Sequence, residues 1–436
     1  MARIICKFGG SSLSNYQQFE KAQKIIASDA RRKVIVPSAP GKENSDDIKV
    51  TDLLYKCFDL AAKKEDFSAT FSLIRKKYLN IVKELGIECQ LPEKLDVVEK
   101  KIAEGASSDY VASRGEYLCG ILMADYLKGE FVDPIDYILF DDNGKIDPST
   151  YEKLAKRMAD SEQLYIMPGF YGAEQNGEIK TFSRGGSDIS GAIAARAIKA
   201  ELYENWTDVS GLLMADPRIV DSPKPMAKVT YREIRELAYM GANVFHDEAI
   251  APVRDVKIPI NIKNTNQPDA AGTMIVSDLG EKSGLIAGIA GKKEVSIFSI
   301  EKAMMNKERG FGRKVLEIFE EHGVSYEHSP TGIDSMNIIV ADNELGDKAN
   351  AICDSIQKKM QPDNLSVNSD FSLIATVGEE MQQVVGTAAK LFSALRDAEV
   401  NVRVIDQGSS EINIIIGIYR DDFEKAIKAL YHCFVE

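Results

Sequence analysis

Five times within the first 280 residues a short apolar run stops at a turn and gives way to helical spacing, and this alternation limits the chain more than any other feature. The runs are Arg3 to Phe8, Lys33 to Val36, Leu164 to Met167, Glu201 to Trp206 and Ile258 to Lys263. Short strands separated by helices pair in parallel, and the helices then cover both faces of the sheet. The expected fold is therefore α/β, a mostly parallel sheet sandwiched by helices, over residues 1–280. With 436 residues the chain is long enough for further domains.

The turns carry the chemistry. Thr181 to Asp188, reading TFSRGGSD, runs into the small-residue stretch Ile189 to Ile198. Gly185 and Gly186 let the backbone approach a ligand, and Ser187 or Asp188 can cap the helix that follows, whose free N–H groups favour an anion. Arg184 and Asp188 on either side can grip a zwitterion, the guanidinium taking a carboxylate and the Asp an ammonium. At the first turn, Lys7-Phe8-Gly9-Gly10-Ser11-Ser12, glycine N–H groups can cradle phosphate beside the Lys7 charge, or the glycines can serve turn geometry alone. It is not a P-loop, since no GxxxxGK[ST] occurs.

The second strand leads to Pro37-Ser38-Ala39-Pro40-Gly41, a polar surface loop over 42–49, and Thr51-Asp52-Leu53-Leu54 opening a helix. Residues 52–105 read as a helical covering layer, broken near Gly86 to Pro92. Ser113-Arg114-Gly115-Glu116 leads into a helix over 117–127, so Glu116 falls in its first turn. There it is either a carboxylate favoured by the helix dipole or a ligand group. Pro168-Gly169-Phe170-Tyr171-Gly172 follows a strand, and a hairpin turn at 174–178 returns the chain to Arg184. Thr207 and Asp208 lie just past the carboxyl end of a strand, where open parallel sheets place ligands. Arg218, in Asp216-Pro217-Arg218, can reach a phosphate or remain a surface charge.

Composition narrows the partners. The formal charge of −13, from 54 basic and 67 acidic residues, argues against nucleic acid or an anionic membrane surface. No apolar run approaches a membrane span. Six scattered cysteines without a CxxC pair, and no signal peptide ahead of them, read as reduced thiols in the cytoplasm. The four histidines offer no metal-ligand spacing.

Residues 281–293, rich in glycine and lysine, read as a linker. Beyond it the chain repeats at an offset of 76 residues: Val295 to Ile300 matches Phe371 to Thr376, Lys314 to Phe319 matches Lys390 to Leu395, and Ser335 to Val340 matches Glu411 to Ile416. Each copy reads strand, helix, strand, strand, helix, so the tail is a tandem of ferredoxin-like α+β units, at 294–365 and 366–436.

KFGGSS (Lys7 to Ser12), TDLL (Thr51 to Leu54), SRGEYL (Ser113 to Leu118), PGFYG (Pro168 to Gly172), SRGGSD (Ser183 to Asp188), WTDVSG (Trp206 to Gly211) and DPR (Asp216 to Arg218) occur in order. Together with the duplicated tail they closely resemble the aspartate kinase family, an amino-acid kinase domain followed by two ACT domains, over essentially the whole chain. The resemblance implies ATP- and Mg2+-dependent phosphorylation of the β-carboxylate of L-aspartate, in amino-acid biosynthesis. It implies that Arg184 holds the substrate α-carboxylate, with Glu116 and Asp188 near its ammonium. Thr51, Phe170, Gly185, Gly186 and Ser187 would line the same pocket. Lys7, Phe8, Gly9, Gly10 and Ser38 would face the phosphates, with Thr207, Asp208 and Arg218 on the nucleotide. Leu213 and Asn243 also fall at nucleotide positions, where the family commonly has an aromatic residue and a lysine. No metal site of the protein's own is implied, the magnesium arriving with ATP.

In the first ACT unit, Met305, Glu308, Gly310, Phe311, Gly312, Ser325, Tyr326 and Glu327 match the family's feedback-ligand segment. The helix opening at Gly310 can take an amino acid's carboxylate and Glu327 its amine, or Gly310 merely permits a tight turn. Lysine is the expected inhibitor and threonine its rival. Pairing of ACT units between subunits implies a homo-oligomer, a dimer or tetramer. Three rivals stand beside this reading. A glutamate 5-kinase or uridylate kinase would lack RGGSD with tandem ACT units, and an ACT-based sensor would show a decayed kinase site. A fused homoserine dehydrogenase would need chain beyond the second repeat.

Overall fold

The computed structural model describes residues 2–183, 185–242, 247–280 and 284–436. Arg184 and Asn243, both named above, lie outside the described residues. The chain forms two compact units. The first comprises Met1–Leu212, Ala227–Tyr231 and Val244–Leu279.

Its strands are β1 (Ile4–Phe8), β2 (Arg32–Pro37), β3 (Glu130–Phe131), β4 (Tyr165–Ile166), β5 (Tyr171–Ala173), β6 (Ile179–Thr181), β7 (Leu202–Thr207), β8 (Lys228–Thr230), β9 (Ile260–Asn264) and β10 (Thr273–Val276). Eight of them form one sheet in the order β3-β4-β2-β1-β7-β9-β10-β8, and β5 and β6 make a separate hairpin. All neighbours from β3 to β9 are parallel; only β10 runs antiparallel to β9. The five apolar runs are the middle of this sheet. β1 and β2 are buried along nearly their whole length because helices cover both faces.

The helices up to residue 254 are α1 (Tyr16–Ala27), α2 (Val50–Ala62), α3 (Ser68–Leu85), α4 (Leu91–Ala103), α5 (Ser108–Leu127), α6 (Ser149–Arg157), α7 (Gly186–Ala197), α8 (Tyr231–Tyr239), which after Tyr231 belongs to the second unit, and the short α9 (Ala251–Arg254). Two differ from expectation. Helix α5 begins nine residues earlier than its apolar spacing suggests, because the Ser107 side chain accepts from the Tyr110 amide and caps it. Gly115 does not end the helix, since one interior glycine costs only about 1 kcal/mol. Glu116 therefore sits in mid-helix, and the dipole explanation for it falls away. Helix α7 is entered through Gly185 in the left-handed conformation (φ 61°), with no side-chain cap from Ser187 or Asp188.

The second unit comprises Leu213–Met226, Arg232–Asn243 and Gly280–Glu436. The first two segments fall inside the expected 1–280 domain but pack with the tail. Ala215 and Val220 share a core with Ile374 and Ile416, the Lys224 amide donates to the Tyr431 hydroxyl (2.7 Å), and Asn413 Nδ2 donates to Glu236 (2.7 Å).

The tail contains β11 (Gly288–Glu301), α10 (Phe311–Glu321), β12 (Ser335–Ala341), the short α11 (Asp342–Leu345), α12 (Ala349–Met360), β13 (Asn364–Val377), α13 (Thr387–Asp397), β14 (Val404–Asp406), β15 (Asn413–Tyr419) and α14 (Phe423–Val435). The offset of 76 residues relates β11 to β13 and α10 to α13 at both ends. The repeat is thus structural, but its halves interlock. β11 and β13 are 14-residue strands paired antiparallel from Gly288↔Val377 to Glu301↔Asn364, in one sheet ordered β12-β11-β13-β15-β14. The first half of β11 completes the second module, and the first half of β13 completes the first. Boundaries at 293 and 365 therefore cut through shared strands.

Residues 288–293, expected in the linker, are β11 itself. Gly291 looks like flexibility in sequence, yet a Cβ there would meet the Leu373 carbonyl oxygen at 2.6 Å and the Phe423 ring at 2.7 Å. It marks close approach. Two apolar cores follow, one around Phe298, Val315 and Ile318, the other around Ile374, Leu391 and Ile416.

Candidate active site

At the carboxyl ends of β1 and β2 two loops meet backbone to backbone. The Gly41 amide donates to the Gly10 carbonyl (2.8 Å), and a Cβ on Gly41 would lie 2.6 Å from the Gly10 carbonyl carbon. Glycine at 10 and 41 is therefore a packing requirement. Next to these loops lies a cleft of about 230 Å³ lined by Lys7, Ser38, Thr51, Glu116, Phe170, Gly185, Gly186, Ser187 and Asp188. All nine are residues that the sequence picks out, drawn from β1, the loop after β2, α2, α5, the loop before β5 and the start of α7.

Lys7, the penultimate residue of β1, has its ammonium 2.5 Å from Asp188 Oδ1. Asn205 Nδ2 donates to the same oxygen (2.8 Å), and Asn205 Oδ1 lies 3.4 Å from Lys7 Nζ. The Tyr203 hydroxyl donates to the Asp188 carbonyl (3.0 Å). Asn205 and Tyr203 are buried on β7 and escaped the sequence reading. Only the β1–β7 register, which sets Lys7 opposite Asn205, reveals them.

Glu116 is 6 % exposed, and its Oε2 has no hydrogen-bond partner. Burial pushes its carboxyl up to about 7, against the opposing pull of the Ala39 amide and the Lys7 charge. A buried, unpaired carboxyl oxygen facing a cleft is suited to receive a cation. Phe170 stands in the left-handed region (φ 82°), unusual for an aromatic residue, and its amide is held by Ser190 Oγ (3.0 Å).

Other named residues are not in this cleft. Phe8 is fully buried, stacked on Trp206 at 6.1 Å, so its side chain belongs to the core. The Gly9 amide donates to the Trp206 carbonyl (2.9 Å). Thr207 ends β7 with its hydroxyl 3.2 Å from Asp208, whose side chain is exposed. Leu213 and Arg218 belong to the second unit, where Arg218 is exposed and paired with Asp216 at 2.6 Å. A larger open groove of about 650 Å³, between the 43–48 loop and α3, contains none of the named residues, and its Lys77 is already paired with Asp47. Among the described residues no three His, Cys, Asp or Glu side chains converge as a metal site, and no helix is long and apolar enough to cross a membrane.

In the first tail module Gly310 opens α10 in the left-handed conformation (φ 75°), with Met305 and Phe311 buried beside it. Glu308 is held between Lys302 (2.9 Å) and Lys314 (2.8 Å). Ser325 and Tyr326 are exposed. Glu327, expected to take an amine, already has one: Lys292 Nζ lies 2.6 Å from it and 4.2 Å from the centre of the Tyr239 ring.

The model of the amino acid kinase family matches residues 2–264, and that of an ACT domain matches 374–434. Aspartokinase 3 of Bacillus subtilis is 39 % identical over 446 residues, covering 99 % of this chain and 98 % of the relative. The crystal structure of Clostridium acetobutylicum aspartate kinase superposes with a TM-score of 0.95 at 50 % identity, covering 99 % of this chain and 100 % of that one. E. coli aspartokinase III, solved in complex with lysine and aspartate, shares the fold at a TM-score of 0.77 and 24 % identity, with both chains fully covered. The chain belongs to the amino acid kinase family, in its ATP-dependent aspartate kinase branch with a C-terminal ACT region.

Proposed function

We propose that the enzyme transfers the γ-phosphoryl group of ATP to the β-carboxylate of L-aspartate, giving 4-phospho-L-aspartate, the first step towards lysine, threonine and methionine. A β-carboxylate oxygen forms the new bond to phosphorus as the bond to the β–γ bridging oxygen breaks, and ADP leaves. The observation that carries this reading is one cleft holding a buried carboxyl with one unpartnered oxygen, a second carboxylate, and an ammonium. Glu116 and Asp188 suit the substrate ammonium, Arg184 its α-carboxylate, and Thr51, Phe170 and the Gly185–Ser187 backbone the remaining walls.

The acceptor carboxylate is already ionised at neutral pH, so no strong base is required; charge neutralisation and alignment are. Lys7, with Gly9, Gly10 and Ser38 nearby, serves the transferring group, and Thr207, Asp208, Arg218, Leu213 and Asn243 the nucleotide. Mg2+ fits as a companion of ATP, since in such sites it is held by the substrate phosphates, by water and by one or two carboxylates. The tail modules take an amino-acid effector, lysine before threonine, at Gly310–Gly312 and Glu327, and pair between subunits in a homo-oligomer. The compartment is the cytoplasm.

A hydroxamate assay for aspartyl phosphate, with and without lysine and threonine, tests substrate, reaction and regulation together. The reading expects product from aspartate, none from glutamate, and inhibition by lysine. Arg184→Ala should raise KM for aspartate with KM for ATP little changed; an equal rise in both would make that turn scaffolding.

A further inference from the structure

We infer that Asn205 is a positioning residue for phosphoryl transfer, holding the Asp188 carboxylate so that Lys7 is released to the transferring group. The inference rests on the roles given above to Lys7 and Asp188. Its observation is the double contact of one buried amide: Nδ2 to Asp188 Oδ1 at 2.8 Å, and Oδ1 3.4 Å from Lys7 Nζ. Only one orientation of that amide serves both neighbours, since the flipped one would set NH2 against an ammonium and an oxygen against a carboxylate.

Lys7 cannot fully serve Asp188 and the phosphoryl oxygens at once. When it turns to the phosphate, Asp188, half-buried at the cleft wall, loses its closest cation, and a free carboxylate would swing after it. Asn205 and Tyr203, alternate residues on the same face of β7, hold the Asp188 side chain and carbonyl respectively, so it stays for the substrate ammonium. The intervening Glu204 points to the opposite face, where Arg32 engages it (2.8 Å). The charged groups around the amide are thus Lys7 on β1 and Asp188 on α7, with Glu116 on α5 lining the same cleft; its β9 neighbour is Ile262.

The test uses the full-length enzyme with Asn205→Leu and Asn205→Asp, assayed with aspartate and ATP from pH 6 to 9. Asn205→Leu should lower kcat by about tenfold to a hundredfold, with KM for ATP within about twofold. In Asn205→Asp the protonated carboxyl offers O–H to Asp188 and C=O to Lys7, as the amide does, whereas the ionised form faces Asp188 with like charge. Its kcat should therefore recover towards wild type as pH falls, an acid rescue the wild type does not show. A Leu variant within about twofold of wild-type kcat overturns the inference. So does an Asp variant that follows the wild-type pH profile, which would leave packing as the residue's role. If the Leu variant fails to fold, the Asp profile decides alone. Lys7→Ala run alongside separates this outcome from failure of the Lys7 assignment, which would show as an undiminished kcat.

Discussion

The ammonium of Lys7, at the end of the first strand, lies 2.5 Å from the carboxylate of Asp188, in the first turn of α7. Without substrates these two groups neutralise each other; in the proposed reaction each turns to an opposite charge brought in by a substrate.

Removing the cation should be costly in rate. Lys7→Ala is expected to lower kcat by roughly three orders of magnitude, the scale on which loss of one preorganised electrostatic donor acts. Steady-state assays at saturating aspartate and ATP measure it. A kcat near the wild-type value would exclude Lys7 from the transfer step.

Glu116 links stability, pH and substrate. Its carboxyl titrates near 4.5 when unfolded and is pushed up to about 7 by burial in the fold. The native state therefore binds its proton more tightly, so this residue's contribution is fully present below 4.5 and is lost as pH rises to about 7. Glu116→Gln should stabilise the unliganded enzyme at pH 8 by up to about 3 kcal/mol, while raising KM for aspartate. Wild-type affinity for aspartate should strengthen as pH rises through 7, with proton release on binding below that pH. Calorimetry in buffers of different ionisation enthalpy reads the proton directly, and a pH-independent heat would count against the assignment.

Gly41→Ala tests the loop contact next to the cleft. The added methyl carbon would meet backbone atoms of Gly10 and Ser11 at 2.6–2.8 Å, where nothing flexible can give way. A loss of about 1–3 kcal/mol of stability is expected, together with a rise in KM, since the loop carrying Ser38 and the loop that follows β1 must part. Thermal melts and kinetics on the same preparation check both. An unchanged melting temperature would show that the loops separate freely.

Lys292 holds Glu327 at 2.6 Å, the carboxylate proposed for the effector's amine. An incoming amine must displace it. Lys292→Met should then sharpen inhibition, lowering the lysine concentration for half-inhibition by about fivefold or more, the range of common site-to-site couplings. Activity without lysine should stay near wild type. If inhibition is unchanged or weaker, Lys292 is not a competitor for that carboxylate.

The nine residues of the cleft were all legible in sequence, because each belongs to a short motif whose residue types carry their own chemistry: a lysine before glycines, an acid after them, a glutamate shortly after a serine and an arginine. The parallel sheet was legible too, since alternation of strand and helix leaves no other pairing. The 76-residue repeat announced the tail modules. What sequence could not tell is who faces whom. Glu116 looked like a helix-end acid until Ser107 capped the helix nine residues before it, making it a buried mid-helix group. Residues 288–293 looked like linker because glycine signals freedom in one dimension and close packing in three. Asn205 was silent because nothing along the chain marks it; only strand register puts its amide between Lys7 and Asp188. Residue types and local spacing determined the chemistry available to this protein, whereas contacts between distant segments decided its protonation, its pairing and the shared strands of its tail, because burial and register are set by the whole fold.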